Sequence, residues 1–410
     1  MTTPARQPGG SVERAQASPI SEDPGATVSG DPANDRVASN DETVHAGLVF
    51  PGGAADHGAE SAGREGPGRS RGQIEGHERF ATGELAMACS HYELGVITSV
   101  REFRRGSRRS PKAVLETSRG RVLVKRRPPG PSDQPQQIAF SHAVQEHLRE
   151  KSFPLARLLR TREGRGCAAI GGRSYELFEF LSGTRYDRSE GETADAGRTL
   201  AYFHRLLAGF DPPGRSGEGS YHANAMVPRA LRSMADELGR GSLAPVCDRL
   251  AVLYEQATSR VRGLGMSAWP RQVVHCDFHP GNVVFGGGLV RAVVDFDSCR
   301  LGPRVLDVAN GALQFSVTRS GLDPSAWPVE LDRSRLGAFL RAYDAVEGCI
   351  VSRAELEAMP WLMIEALIAE SAMPIFATGR FGSIDGGVML EVVEGKANWI
   401  AAASDELCAL

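Results

Sequence analysis

Three polar residues with the chemistry of phosphoryl transfer lie close together in the second half of this 410-residue chain. Asp277 follows an apolar segment, Asn282 lies five residues later, and Asp295 ends a second apolar segment. Transfer of a phosphoryl group requires a carboxylate that orients the attacking hydroxyl, and oxygen ligands for a Mg²⁺ ion between the phosphates. The spacing therefore predicts Asp277 as the catalytic acid-base, with Asn282 and Asp295 as the Mg²⁺ ligands.

The residues around this group resemble one family of enzymes. Residues 275–282 read His-Cys-Asp-Phe-His-Pro-Gly-Asn, followed by Asp-Phe-Asp at 295–297 and Leu-Gly-Pro-Arg-Val-Leu-Asp-Val-Ala at 301–309. This pattern resembles the aminoglycoside phosphotransferase family, which includes choline, homoserine and spore-coat-type kinases. The loop in that family usually reads His-Gly-Asp-x-His-x-x-Asn, so Cys276 stands where glycine is usual. The resemblance is strong over 274–309 and extends over about 91–400.

The resemblance implies an α+β, two-lobed fold like that of protein kinases. The small N-terminal lobe, with an antiparallel sheet, would span residues 89–181, and the larger, mainly helical C-terminal lobe would span 182–410. It also implies ATP as co-substrate, Mg²⁺ as cofactor, and the hydroxyl of a small molecule as acceptor. The acceptor would be an amino alcohol, a sugar, an amino acid or an aminoglycoside-like compound.

Supporting roles follow from the same resemblance. His275 and His279 would brace the catalytic loop by hydrogen bonding, and Asp307 would anchor that loop rather than contact substrate. Asp297 would either lie behind the metal ligands, contact the metal directly, or bind a neighbouring backbone group.

Lys125 is the candidate ligand of the nucleotide phosphates. It ends the predicted strand 121–125, in a chain with only four lysines against 43 arginines. A lysine at this position indicates a need for a compact point charge, although an ordinary exposed strand-end lysine is the alternative. The sequence leaves open which acid pairs with Lys125. Glu146 on the predicted helix 138–150 is the obvious candidate, whereas relatives often carry the acid nearer the start of that helix.

Two further segments are predicted to contact the nucleotide. Gly106 and Ser107 lie in the loop between the first two predicted strands, where kinases cover the phosphates. Glu179 and Leu181 precede Gly183, where the lobes should hinge, and their backbone groups would meet the adenine ring.

Composition and periodicity organise the rest of the chain. Residues 1–88 are rich in Gly, Pro, Ser, Ala and acids, which predicts a disordered tail, or a start-site artefact if the chain begins near Met87. Deleting residues 1–86 is therefore expected to leave stability unchanged. Alternation predicts strands at 92–103, 113–117, 121–125, 168–170 and 174–180. Helical periodicity predicts helices at 138–150, 193–207, 228–238, 245–262, 304–318, 332–346, 353–370 and 387–402.

Two acids on an apolar helix suggest an acceptor site. Glu365 and Glu370 are surrounded by Met, Ile, Ala and Leu, and residues 351–410 hold nine acids against three bases. Buried carboxylates are costly without partners. The pair is therefore expected either to bind an ammonium group of the acceptor or to pair with arginines of a neighbouring helix.

The composition limits the other possibilities. No apolar run reaches the roughly 18 residues of a membrane span, no secretory signal is visible, and the seven cysteines lack metal-ligand spacing. These features predict a cytoplasmic enzyme with reduced thiols and no membrane partner. Residues 91–180 hold 18 bases and 9 acids, yet interleaved aromatics are missing, so nucleic-acid binding is not favoured. The alternatives are a kinase of a protein or coat component and a catalytically silent nucleotide-binding scaffold; the oligomeric state stays open.

Overall fold

The computed structural model describes residues 78–103, 109–237 and 243–409. The loop with Gly106 and Ser107 and the chain before residue 78 lie outside these ranges. The small lobe consists of α1 (Thr82–Ser90), β1 (Ile97–Glu102), β2 (Lys112–Thr117), β3 (Gly120–Arg126), α2 (Pro135–Glu150), β4 (Ala168–Ile170) and β5 (Arg173–Glu179). Its five strands form one antiparallel sheet in the order β1-β2-β3-β5-β4. The predicted antiparallel small lobe is confirmed.

The two faces of this sheet have different partners. Val122 and Val124 of β3 are buried in an apolar cluster with Ala88 and Cys89 of α1. Lys125 lies on the opposite face, because successive side chains of a strand alternate. The sheet therefore buries one face under α1 and turns the other toward the large lobe. On that second face, the ammonium group of Lys125 donates a hydrogen bond to Asp295 of the large lobe.

Helix α1 corrects the predicted boundary of the folded region at residue 88. Glu84 accepts hydrogen bonds from the hydroxyl of Tyr175 (2.7 Å) and from Arg126 (2.5 Å) of the sheet. The ring of Phe80 lies 6.4 Å from that of Tyr175. The helix has few large apolar side chains, so its docking depends on sheet residues far away in the chain, which local composition does not reveal.

Deleting residues 1–86 should therefore lower the melting temperature by about 5 °C, contrary to the expectation from sequence. The deletion removes half-buried Phe80 and Leu85 and the Glu84 ion pair, which together contribute about 2–3 kcal/mol. In a domain of this size about 2 °C corresponds to 1 kcal/mol. The matched control is a chain that begins at residue 78. Equal melting temperatures of the two chains, measured by calorimetry, would mean that α1 adds no folding free energy.

Helix α2 joins the two lobes. Phe140, Val144 and Leu148, at positions i, i+4 and i+8, are all buried, as the periodicity predicts. Their partners belong to the core cluster of the large lobe, which includes Phe153 and Phe203. Because α2 packs on the large lobe, its position fixes how the small lobe sits above the catalytic loop.

The large lobe is mainly helical, as predicted. Its helices are α3 (Glu190–Leu206), α4 (Met226–Glu237), α5 (Leu243–Gly263), α6 (Val305–Ser316), α7 (Arg333–Asp344), α8 (Arg353–Thr378), α9 (Gly386–Ala402) and α10 (Ser404–Leu407). Its strands are β6 (Gln272–Val274), β7 (Val283–Gly286), β8 (Leu289–Val293), β9 (Arg300–Gly302), β10 (Arg380–Phe381) and β11 (Ile384–Asp385). The strands pair as β6–β9, β7–β8 and β10–β11.

Three helices differ from the expected boundaries by three residues or more. Helix α2 begins at Pro135 rather than at residue 138. Helix α3 begins earlier, because Ser189 rather than Thr193 accepts the capping hydrogen bond, from the backbone N–H of Glu192. Helix α8 continues eight residues beyond the predicted end and contains Pro374. By length and composition α8 could cross a membrane, but most of it is buried in the large-lobe core.

Candidate active site

The catalytic loop begins where β6 ends, and Asp307 of α6 holds its first residues. The carboxylate of Asp307 accepts hydrogen bonds from the backbone N–H groups of His275 (2.5 Å) and Cys276 (2.8 Å). The Nε2 atom of His204 lies 3.1 Å from the same carboxylate. Burial would raise the pKa of Asp307, but the hydrogen bond and charge of His204 and the backbone hydrogen bond from His275 hold it below its usual value.

Cys276 has a left-handed backbone, with φ of 61°. This conformation costs a residue with a β-carbon about 1–2 kcal/mol, whereas glycine adopts it freely. The backbone N–H groups of His275 and Cys276 both donate to Asp307, which holds the chain in this turn. The geometry gives a physical reason for the glycine that the resembling loops carry here.

His275 braces the loop and is placed poorly to act as a base. The backbone N–H of Asp277 donates to its Nδ1 (3.3 Å). Its ring is fully buried, with centroids 5.8, 6.0 and 5.1 Å from those of Phe203, Phe278 and Phe296. Burial lowers the pKa of His275, so the neutral ring is favoured.

Asp277 presents one carboxylate oxygen that accepts no hydrogen bond from the described residues. The side-chain amide of Asn282 donates to its Oδ2 (2.7 Å) and to its backbone carbonyl (3.0 Å). Its Oδ1 is buried and has no hydrogen-bond partner within the described ranges. The Nε2 atom of His279 lies 3.4 Å from Oδ1, while its Nδ1 accepts from the N–H of Gly281 (3.0 Å). An oriented carboxylate with one free oxygen is what a hydroxyl acceptor needs.

Asn282 and Asp295 lie side by side, because the backbone N–H of Val294 donates to the carbonyl of Asn282 (2.9 Å). The amide nitrogen of Asn282 is used by Asp277, so its oxygen is the atom left for a cation. In the described part of the chain, no group of three or more His, Cys, Asp or Glu could hold a metal. The pair fits Mg²⁺, which takes few protein oxygens and completes its shell with phosphates and water.

Lys125 reaches these acids from the small lobe. Its Nζ lies 2.8 Å from Oδ1 of Asp295 and 2.7 Å from Oδ2 of Asp297, and the residue is only 4% exposed. Burial would lower the pKa of Lys125, but the two acids raise it above its usual value. The alternative of an exposed strand-end lysine is therefore excluded.

Asp297 is held by two cations. Besides Lys125, the fully buried Arg127 lies 3.2 Å from its Oδ1. Arg127 also donates through Nε to Oε1 of Glu176 (2.8 Å). With both oxygens of Asp297 engaged, this residue connects the metal-binding segment to the small-lobe sheet.

The acid beside Lys125 comes from β5 and is not Glu146. Glu146 is partly exposed and pairs with Arg149 (2.8 Å) and Arg160. Glu176 lies directly opposite Lys125 in the β3–β5 register, and its charge raises the pKa of Lys125. His142 of α2 lies 2.6 Å from Glu176, so the helix still contacts this acid, through a histidine.

The segment after β5 connects the lobes closely. A β-carbon at Gly183 would overlap the carbonyl of Phe285, so only glycine allows this approach. Thr184 and Phe285 exchange backbone hydrogen bonds of 2.8 and 3.1 Å. The N–H of Glu179 donates to the carbonyl of Arg157 (2.9 Å), so Glu179 would use its own carbonyl to contact adenine. Leu181 lies at this junction, while Gly106 and Ser107 are outside the described residues.

Glu370 lies near enough to Asp277 for the two carboxyl groups to interact electrostatically. It accepts hydrogen bonds from the amides of Asn310 (2.7 Å) and Gln314 (2.5 Å). Burial raises the pKa of Glu370 well above its usual value, and the negative charge of Asp277 raises it further. The Oδ1 atom of Asn310 is buried without a hydrogen-bond partner in the described part of the chain. A second carboxyl group and an unpaired amide oxygen therefore lie near Asp277.

Glu365, the other predicted acceptor-site acid, has a different role. Its carboxylate lies 2.6 Å from Nδ1 of His222 and accepts from the N–H of Ala223 (3.1 Å) and the hydroxyl of Thr258. It is fully buried, and these bonds hold the loop before α4. Glu365 therefore stabilises this loop, and its described bonds are all to residues of the protein itself. The alternative of arginine partners is wrong for both acids among the described residues.

Sequence patterns missed several residues of the site. These are Lys112, Arg127, Glu176, Asn310 and Gln314. The sequence could have indicated Lys112, because it is one of only four lysines in the chain. It could also have indicated Asn310 and Gln314, because they follow Asp307 at helical spacing. No sequence pattern indicates Arg127 and Glu176, because their proximity depends on strand register.

The chain is similar to known phosphotransferases in sequence and in fold. A family profile, the phosphotransferase enzyme family (APH), matches residues 99–358, more than half of the chain. The homoserine kinase of Rhodopseudomonas palustris (strain HaA2) is 26% identical over 299 residues, which cover 69% of this chain and 80% of that protein. The homoserine kinase of Phenylobacterium zucineum (strain HLK1) is 27% identical over 290 residues, covering 68% and 80%.

Solved structures share the fold. A microcompartment-associated aminopropanol kinase superposes with a TM-score of 0.58 at 15% identity, covering 79% of this chain and 97% of that chain. An aminoglycoside phosphotransferase from Alicyclobacillus acidocaldarius superposes with a TM-score of 0.54 at 20% identity, covering 79% and 94%. The predicted two-lobed, kinase-like α+β fold and the predicted enzyme class, a phosphotransferase with an alcohol acceptor, are confirmed. The chain belongs to the phosphotransferase enzyme family.

Proposed function

We propose that this protein transfers the γ-phosphate of ATP to the hydroxyl of a small, amine-bearing molecule, with Mg²⁺ as cofactor. The observation that carries the proposal is the orientation of Asp277. One of its oxygens is held by Asn282 and the other is buried without a hydrogen-bond partner among the described residues. A scaffold that only binds nucleotide has no chemical need for such a carboxylate.

In the proposed reaction Asp277 accepts a hydrogen bond from the acceptor hydroxyl through Oδ1 and directs its oxygen at the γ-phosphorus. The hydroxyl proton passes to this carboxylate as the new O–P bond forms and the bond to ADP breaks. Asn282 keeps the carboxylate in one orientation throughout. Asn282 and Asp295 would hold the Mg²⁺ ion, which neutralises charge on the phosphates when bound.

Lys125 is the proposed ligand of the nucleotide phosphates. In the structure its ammonium group is bonded to Asp295 and Asp297. Once Asp295 serves as a metal ligand, Lys125 keeps Asp297 as a partner and can direct its remaining donors at phosphate oxygens. Glu176 and Arg127 limit its movement from the sheet side.

The acceptor is proposed to carry a cationic amine. Glu370 and Asp277 place two carboxylates near one another in a buried region, and the pKa of Glu370 is raised by burial and by Asp277. An ammonium group would relieve both effects by supplying the missing positive charge. The relatives named as homoserine kinases and the structural neighbour named as an aminopropanol kinase support this class, since homoserine and aminopropanol both contain a hydroxyl and an amine.

The direct test is a screen for acceptor-dependent ATP consumption. The screen should compare four groups of compounds at equal concentration with Mg²⁺ present: homoserine, amino alcohols, sugars lacking an amine, and aminoglycosides. We expect turnover with one of the amine-bearing groups and with no amine-free sugar. Turnover of an amine-free sugar alone would contradict the proposed substrate class, and turnover of none would leave the proposed activity without support.

Glu370→Gln should raise the acceptor KM by about 10-fold or more while the KM for ATP changes less than about twofold, because a buried ammonium–carboxylate contact contributes roughly 1.5–3 kcal/mol. The acceptor KM of the unmodified protein should also rise as the pH falls, because protonation of Glu370 removes the charge that binds the amine. This dependence should be weaker in the Gln variant. Steady-state kinetics over a pH series measures both effects.

Glu365→Gln is the matched control, since Glu365 is an equally buried carboxylate on the same helix. Its carboxylate holds His222 and Thr258, so we expect lower thermal stability and an acceptor KM within about twofold of normal. Equal KM changes in the two variants would show that neither acid recognises the acceptor selectively.

A further inference from the structure

We infer that Lys112 is a second ligand of the nucleotide phosphates, paired with Lys125 on the adjacent strand. This inference rests on the proposed function, because it adds a contact to the same bound nucleotide. It differs from the proposed roles of Asp277 and Lys125 in that no motif points to Lys112.

The strand register places the two lysines together. Lys112 is the first residue of β2 and lies directly opposite Lys125 of β3, so both side chains project from the same face of the sheet. The Nζ atom of Lys112 lies 3.5 Å from Oδ2 of Asp295, and that of Lys125 lies 2.8 Å from Oδ1. The side chains are 11% and 5% exposed. Two shielded ammonium groups therefore share one carboxylate.

Like charges directly opposite one another on a strand pair are destabilising. Asp295 offsets that repulsion in the structure, but it is also the proposed metal ligand. If Asp295 held a metal, Lys125 would retain Asp297 as a partner. Lys112 forms no other ion pair among the described residues. A shielded ammonium group without a partner is costly, so Lys112 would then need another anion, which the phosphates of a nucleotide bound at the same site would supply.

The composition of the chain supports the same conclusion. Two of the four lysines in a chain with 43 arginines lie at this one carboxylate. A compact ammonium group fits between Asp295 and a phosphate where a planar guanidinium is larger and differently directed.

The test compares Lys112→Met with Lys125→Met and with Lys151→Met, a control at an exposed lysine after α2. Binding of ATP, ADP and AMP should be measured by calorimetry, in EDTA and in Mg²⁺, on the full chain. We expect Lys112→Met to weaken ATP and ADP binding by about 10-fold, as loss of one charge-assisted contact does. AMP binding should change less than about twofold, and Lys151→Met should match the unmodified protein.

ATP and ADP affinities of Lys112→Met within about twofold of normal would overturn the inference. Thermal unfolding of each variant shows whether the fold is kept, and Lys112→Arg, which keeps the charge, is expected to bind ATP better than Lys112→Met. The proposed function fails separately, if Lys125→Met and Asp277→Asn both retain acceptor-dependent turnover. The ratio of ADP to AMP affinity still tests Lys112 in that case, because it does not depend on turnover.

Discussion

Asp277→Asn should lower kcat by at least about 1,000-fold, while the dissociation constant for Mg-ATP changes by less than about threefold. The substitution keeps the size of the side chain and its contact with Asn282, so the loop retains its shape. It removes the negative charge and the proton acceptor that the acceptor hydroxyl requires. The loss therefore appears in the chemical step rather than in nucleotide binding.

Two measurements check this result. Rapid-mix kinetics with a saturating acceptor reports the chemical step, and calorimetry reports nucleotide affinity. Asp295→Asn is the contrasting variant, since it should weaken Mg²⁺-dependent ATP binding first. If Asp277→Asn retains more than about a tenth of normal kcat, Asp277 is not the acid-base.

Arg127→Met should destabilise the protein by about 3–5 kcal/mol, because it leaves buried carboxylates without their cation. Arg127 is fully buried and contacts both Glu176 and Asp297. Glu176 keeps His142 as a partner, and Asp297 keeps Lys125, so the fold is weakened without being abolished. Lys125 would then be drawn toward both acids, which should also reduce ATP affinity.

Chemical denaturation measures the change in the free energy of unfolding. Arg119→Met is the control, since Arg119 is exposed and its pair with Glu93 contributes little. The double variant Arg127→Met with Glu176→Met should be more stable than Arg127→Met alone. The second substitution removes the buried carboxylate of Glu176, which Arg127→Met leaves without its arginine partner. A loss below about 1 kcal/mol in Arg127→Met would contradict the assigned ion-pair network.

The sequence was sufficient to predict that the candidate catalytic residues lie together, because they form one contiguous segment. Asp277 and Asn282 lie within a single loop, and Asp295 follows it after one hairpin. A short segment of this kind brings its side chains together through its own backbone geometry. The same locality explains why the helices of the large lobe and the buried face of α2 were predicted correctly.

The acceptor site shows where local pattern is insufficient. Glu365 and Glu370 lie five residues apart on α8, so their side chains point about 140° apart around the helix. Glu365 therefore contacts His222, in the loop before α4, and Thr258 of α5. Glu370 contacts Asn310 and Gln314 of α6 instead. Which of the two faces Asp277 depends on the packing of α8 among its neighbours, which composition does not specify.

The sequence by itself was sufficient to predict the family and, through the resemblance carried by residues 274–309, the two-lobed architecture, because those depend on a local motif. It also placed Asp277, Asn282 and Asp295 within one short segment. Tertiary structure alone decided that α1 packs on the sheet, that Glu176 rather than Glu146 lies beside Lys125, and that Lys112 reaches Asp295. These contacts join segments separated by about 40 to 180 residues, so they depend on strand register and on how the lobes pack. A charged residue in such a chain has many possible partners, and only the folded arrangement selects one.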